Sequence, residues 1–129
     1  MSHPNEDLLR AAYTAFIAGD LEGYLRYCSD DIAFHVPGRN PVSGVYSRAQ
    51  FVTPFISRVM ELCGGTFRET VLDVVANDRR GVVLAEHEFQ RKGKTHAYRT
   101  VHMYRIDNGK LTDFREYPED VYAFDEAWA

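Results

Sequence analysis

The chain has 129 residues, of which 45% are hydrophobic, 13% aromatic and 26% charged, with a net charge of −4. That length predicts one domain over 1–129, burying about two-thirds of the surface its unfolded chain exposes, and the hydrophobic fraction excludes a disordered chain. The acidic balance, with no basic cluster beyond Arg79-Arg80 and Arg91-Lys92-Gly93-Lys94, argues against a nucleic-acid partner, and no apolar run is long enough for a membrane span.

The opening MSHPNEDLLRAAY has no basic stretch leading into an apolar one, so a cytoplasmic location is expected. Leu8, Leu9, Ala12, Tyr13, Phe16 and Ile17 recur at helical spacing up to Gly19, which predicts a helix over 6–18. Asp20 caps a second helix carrying Leu21, Tyr24, Leu25 and Cys28, and Asp30-Asp31 ends it. IAFHVPG then reads as a short strand closed by Pro37 and Gly38. RNPVSGVY, with two turn-formers and no period, reads as a loop or a short hairpin arm. Ser47-Arg48-Ala49-Gln50 is a capping-box pattern before Phe51, Phe55, Val59 and Leu62, a third helix that Pro54 bends or delays. Cys28 and Cys63 lack CxxC spacing and read as small buried hydrophobes, neither a disulfide nor metal ligands.

Strands are expected over 66–76, 80–91, 95–106 and 110–117, separated by AsnAspArgArg, LysGly and AsnGly turns. This order gives an α+β fold in which one curved antiparallel sheet wraps three N-terminal-half helices as a cone enclosing a pocket. Register decides which side chains enter it. A two-residue turn at Asn108-Gly109 sets His102 opposite Arg115. A three-residue turn with Gly109 as a left-handed bulge sets His102 opposite Phe114 and Thr100 opposite Glu116. The second is preferred because it turns Phe114 inward with Tyr98, His102, Tyr104 and Ile106, and sends Asp113 and Arg115 out. Across the Lys92-Gly93 turn, His87 falls opposite Tyr98 and Phe89 opposite His96, which brings Val83 and Ala85 onto the same inner face.

AGDLEGYLRYCSDDIAFHVPG, SGVYSRAQFVTPF, YRIDNGKL and FREYPEDVYAFDEAW, taken in order and spacing, resemble the NTF2-like superfamily, particularly its SnoaL-like branch of polyketide cyclases and ketosteroid-isomerase-related proteins. The resemblance implies a cone-shaped pocket and a homodimer through the outer sheet face. Ketosteroid isomerases carry a general-base aspartate just before the Pro that ends the first strand, and here that position holds Val36, preceded by His35. Their oxyanion-binding acid corresponds to His102, and their first-helix tyrosine falls within one position of Tyr13. Limonene epoxide hydrolases have an Arg-x-Asp and a final-strand Asp where this chain has Thr100, His102 and Glu116. One carboxylate survives and the Arg-Asp part does not, which argues against epoxide hydrolysis.

A carboxylate beside an imidazole in an apolar wall can move a proton near neutral pH, so His102 and Glu116 are the candidate catalytic pair. His87 and Tyr98 are placed to orient a ligand oxygen, with Tyr13, Phe16, Phe34, His35, Val36 and Phe55 as further candidate ligand-binding positions. Val83, Ala85, Phe89, Thr100 and Phe114 complete that set. His35 alternates away from Phe34 and Val36 unless a bulge before Pro37 turns it in. The five histidines show no paired ligand spacing, so no metal and no cofactor are expected. The expected function is cofactor-free proton transfer, as in an isomerase, cyclase or dehydratase, on a small apolar compound bearing a carbonyl or hydroxyl. The alternative is a non-catalytic small-molecule-binding protein of the same fold.

Overall fold

The computed structural model describes residues 2–129. Helix α1 (Pro4–Ile17) starts at a capping box: the His3 imidazole accepts from the Asn5 N–H at 3.0 Å and the His3 N–H donates to Glu6 at 3.3 Å. Its apolar stripe buries Leu9, Ala12 and Tyr13, and Gly19 at φ 81° turns the chain. Asp20 caps α2 (Leu21–Leu25), which is shorter than its apolar spacing suggests. Cys28 belongs instead to β1 (Cys28–Val36), because Leu111 N–H donates to Tyr27 O at 2.8 Å and Cys28 pairs with Leu111, drawing the backbone into the sheet.

The segment read as a loop or hairpin arm supplies β2 (Gly44–Ser47). The Ser47 capping box opens α3 (Arg48–Gln50), and a wide turn over Phe51–Ile56 follows, in which Thr53 is extended ahead of Pro54. Only then does α4 (Ser57–Cys63) run, ending at Gly64 with φ 59°. Pro54 thus divides the expected third helix.

Strands β3 (Arg68–Ala76), β4 (Arg80–Arg91), β5 (Lys94–Asp107) and β6 (Lys110–Pro118) complete a six-stranded sheet in the order β2-β1-β6-β5-β4-β3. Neighbours are antiparallel except β1 and β6, which run parallel, so the expected all-antiparallel sheet is in fact mixed. Lys92-Gly93 and Asn108-Gly109 are two-residue turns with all four φ positive, at 52°, 77°, 51° and 74°, the conformation that matches strand twist. His87 lies opposite Tyr98 and Phe89 opposite His96, as read from the sequence.

The β5–β6 register differs from both readings. Ile106 pairs with Leu111 and Arg105 with Asp113, leaving Thr112 as an extra residue. The Thr112 hydroxyl donates to Asp107 at 2.8 Å, which holds this bulge in place. Phe114 and Glu116 therefore point inward as expected, but His102 faces Glu116 directly and Thr100 faces Pro118.

The helices cover the inner sheet face, and Gly81 lets Leu9 of α1 approach β4 where a Cβ would collide with its methyl. Helix α5 (Val121–Trp128), capped by Asp120, was not among the expected elements. It also packs inward: Trp128 stacks on Phe89 with ring centres 4.0 Å apart and Phe124 meets Tyr98 edge-on, so neither residue covers the outer face. Among the described residues no helix is long and apolar enough to cross a membrane.

Candidate active site

Between the helices and the inner face lies a cavity of about 570 Å³, mouth included. Its walls are largely aromatic, and its polar end is built on four neighbouring strands by Glu69 from β3, His87 from β4, His102 from β5 and Glu116 from β6. All four side chains are 3–7% exposed.

The contacts form two carboxylate–imidazole pairs. His102 Nε2 stands 3.4 Å from Glu116 Oε2, which also accepts from the Thr100 hydroxyl at 3.0 Å. His87 Nε2 lies 2.5 Å from Glu69 Oε2. Crossed contacts tie the pairs together, with His87 Nδ1 3.9 Å from Glu116 and His102 Nδ1 4.0 Å from Glu69. The far nitrogen of each ring is also held. Trp128 Nε1–H donates to the Tyr98 hydroxyl at 2.9 Å, leaving that hydroxyl's own proton for His87 Nδ1 at 3.2 Å and directing the Nε2 proton to Glu69. His102 Nδ1 meets the Tyr13 hydroxyl at 2.6 Å, which continues to Tyr104 at 2.7 Å and on to Tyr24 at 2.8 Å.

Burial alone pulls the His102 pKa down, yet the bond to Glu116 and the charges of Glu69 and Glu116 outweigh it and leave it above the ordinary imidazole value. For Glu116, burial pushes up, but the bond to His102 and its charge, the nearby His87 ring and the Thr100 hydroxyl bring the carboxyl below its usual range. Burial raises Tyr13, Tyr24, Tyr98 and Tyr104 well above the normal phenol value, so the hydroxyl chain stays protonated.

Of the expected site residues, His102, Glu116, His87 and Tyr98 meet at the polar end, and Tyr13, Phe16, Val36, Phe55 and Phe114 line the cavity. Phe34, Val83, Ala85, Phe89 and Thr100 face the same way but are buried behind the wall. There Thr100 holds Glu116 and Phe89 supports Trp128. His35 does not enter the cavity. Strand β1 runs regularly through Phe34 and Val36, so the ring sits on the outer face, 3.2 Å from Asp113. Among the lining residues that sequence reasoning did not single out for the site are Glu69, Tyr24, Phe67, Phe124 and Trp128. Glu69, His87 and His102 each offer a donor atom within 4.8 Å of the others, a grouping that no sequence spacing announces. Glu69 and His87 are joined directly at 2.5 Å, closer than the roughly 3 Å between adjacent donors on one metal ion with bonds of about 2.1 Å.

The model of the SnoaL-like domain matches residues 9–114. The chain belongs to the SnoaL-like domain family. This SnoaL-like chain is 28% identical over 125 residues to the uncharacterized protein Rv0034 of Mycobacterium tuberculosis, covering 95% of each. It is similar to Bal32a from a soil-derived mobile gene cassette, with 28% identity, 97% and 96% of the two chains covered and a TM-score of 0.88. It is also similar to TerC, co-crystallised with polyporic acid, at 26% identity, 96% and 97% coverage and a TM-score of 0.83. The same architecture recurs in NTF2-like proteins of Burkholderia species.

Proposed function

We propose that this SnoaL-like protein binds a compact, mainly apolar organic molecule and catalyses a cofactor-free proton transfer on it, of the isomerase, cyclase or dehydratase type. The observation that carries this reading is the His102–Glu116 pair, buried at the end of an aromatic cavity and backed by Thr100 and Tyr13. Glu116 accepts the ligand's proton, and the imidazolium of His102 returns one. The depressed carboxyl pKa makes Glu116 a weak base near neutrality, which restricts the chemistry to acidic C–H or O–H groups beside a carbonyl. His87 and Tyr98, already bonded to Glu69, to Trp128 and to each other, form the wall beside the ligand. TerC, a relative of similar shape, has been crystallised with an organic acid, which supports a small-molecule site here.

A second reading is a non-catalytic carrier, favoured by Val36 where ketosteroid isomerases have their base. Incubation with a panel of enolisable ketones in D₂O separates the two. Deuterium incorporation that disappears in Glu116→Gln supports catalysis, whereas ligand-dependent thermal stabilisation without incorporation supports the carrier. A molecule identified by mass spectrometry in the protein as purified would name the ligand class.

We further propose a homodimer through the outer sheet face, in the cytoplasm, where Cys28 and Cys63 remain reduced. Tyr117, Val101 and Leu84 form one cross-strand row there, and Met103, Val82 and Val75 another; Val75 and Tyr117 are 53% and 47% exposed. A monomer in sedimentation at micromolar concentration would overturn this.

A further inference from the structure

The hydrogen-bonding capacity left over at the polar end identifies what a ligand must bring. All four imidazole nitrogens are engaged: those of His87 by Glu69 and Tyr98, those of His102 by Glu116 and Tyr13. The Tyr98 hydroxyl accepts from Trp128 and gives its proton to His87. Tyr13 and Tyr104 each touch two polar partners, leaving a single spare hydroxyl position at Tyr24, the far end of the chain.

The carboxylates are different. Every polar contact of Glu116 is made by Oε2, and so is every contact of Glu69. Glu69 Oε1 is sealed from water and has no hydrogen-bond partner, although the side chain is 3% exposed and lines the cavity. An unpaired buried carboxylate oxygen is costly, so it calls for a donor. The polar end therefore offers two unused acceptors and almost no donors. A ligand presenting only a carbonyl oxygen would set it against these oxygens and gain nothing.

We infer that the ligand is an aromatic hydroxyl compound, a phenol or catechol, whose O–H groups donate to the free oxygen of Glu116 and, once the Glu69 side chain turns its sealed Oε1 into the cavity, to that of Glu69, while its ring lies against Phe67, Phe114 and Trp128. The inference rests on reading this cavity as a ligand site, and it replaces "carbonyl or hydroxyl" with hydroxyl. A phenol suits the site better than an ammonium group because stripping a full charge of water costs far more than burying a hydroxyl. A phenolic O–H facing a carboxylate makes a short charge-assisted bond.

The test is calorimetric titration of the intact protein with phenol, catechol, anisole, cyclohexanone and benzylamine. Phenol should bind at least tenfold more tightly than anisole, which has the same ring without the donor, and catechol more tightly than phenol. Glu69→Gln and Glu116→Gln should each weaken catechol at least fivefold and leave anisole unchanged. The wild-type series is decisive even where a variant fails to fold. Anisole or cyclohexanone binding as well as phenol, benzylamine binding more tightly than phenol, or no saturable binding of phenol or catechol would each overturn the inference. Phenols binding as expected, with no protein-dependent exchange of their ring hydrogens in D₂O, would instead remove the catalytic reading and leave the ligand class standing.

Discussion

Replacing Tyr104 by Phe removes one oxygen from the centre of the buried hydroxyl chain and nothing else. That oxygen bonds Tyr13 at 2.7 Å and Tyr24 at 2.8 Å, and all three rings are at most 3% exposed. Tyr13 keeps His102 as a partner, whereas Tyr24 loses its only side-chain hydrogen bond among the described residues. Two lost bonds at about 1 kcal/mol each, plus about 1 kcal/mol for the stranded Tyr24 hydroxyl, give a destabilisation of about 3 kcal/mol. Tyr24→Phe breaks one bond and strands nothing that lacks another partner, so it should cost about 1 kcal/mol. The double variant should cost less than the sum of the two, because it removes the stranded hydroxyl along with its former partner. Urea denaturation at pH 7 measures all three, and the burial-raised tyrosine pKa values keep the hydroxyls neutral there. A Tyr104→Phe protein within 0.5 kcal/mol (roughly half a net hydrogen bond) of the parent, or strict additivity, would refute the network argument.

Glu116→Gln removes the contact that most raises His102, so NMR titration should show the ring's pKa falling, while Asp113→Asn, on the outer face with His35, should leave it unchanged; the reverse pattern would refute the assignment of faces. The raised His102 value contributes stability fully below its reference value of 6.5 and loses it as pH rises through the folded value, whereas the lowered Glu116 value contributes above its reference of 4.5 and loses it as pH falls through the folded value. The destabilisation by Glu116→Gln should therefore be greater at pH 5.5 than at pH 8.5, and a flat pH dependence in urea denaturation would contradict the pairing. Gly109→Ala should cost about 1 kcal/mol, because φ is 74° while no atom within 4 Å would meet the new Cβ; an unchanged urea midpoint would count against the turn. Burial pushes the Cys28 thiol up to about 12, so iodoacetamide at pH 8 should label it only after unfolding, and stoichiometric labelling of the native protein would disprove its burial.

How much of this could be read from the chain depends on whether a local or a distant partner decides each element. The Lys92-Gly93 and Asn108-Gly109 turns carry their own chemistry, and β4 starts and stops where alternation and turn residues place it. The end of α2 is decided elsewhere. Cys28 continues the spacing of Leu21, Tyr24 and Leu25, yet its pairing with Leu111, 83 positions along the chain, makes it a strand residue. An apolar residue satisfies a helix stripe and a buried strand equally well, so periodicity cannot separate them. Helix α5 did carry a signal, with Asp120 as cap and Val121, Phe124 and Trp128 spaced along one stripe.

The two carboxylates of the site were hidden, or half hidden, for one shared reason: each is turned inward by an extra residue in its strand. In β6 the two-residue turn by itself would set Arg115 against His102 and send Glu116 out; the Thr112 bulge shifts the pairing by one and reverses the faces beyond it. The apolar pattern of Leu111 and Phe114 announces that reversal, which is why Glu116 could be assigned inward even though its partner could not. In β3, Val74 faces inward opposite Val83, and unbroken alternation from it would point Thr70 inward and Glu69 out. The register slips between Val71 and Asp73, with Leu72 left over, so that Glu69 falls opposite His87. A charged residue gives no apolar cue for such a slip, and only the out-of-phase spacing of Phe67 and Val71 against Val74 hints at it. A bulge interrupts ladder hydrogen bonds and is not the shortest way to build a hairpin. Both of these bulges place a glutamate against a histidine at the same end of the cavity, so the irregularities of the sheet and the position of the site have a single structural origin.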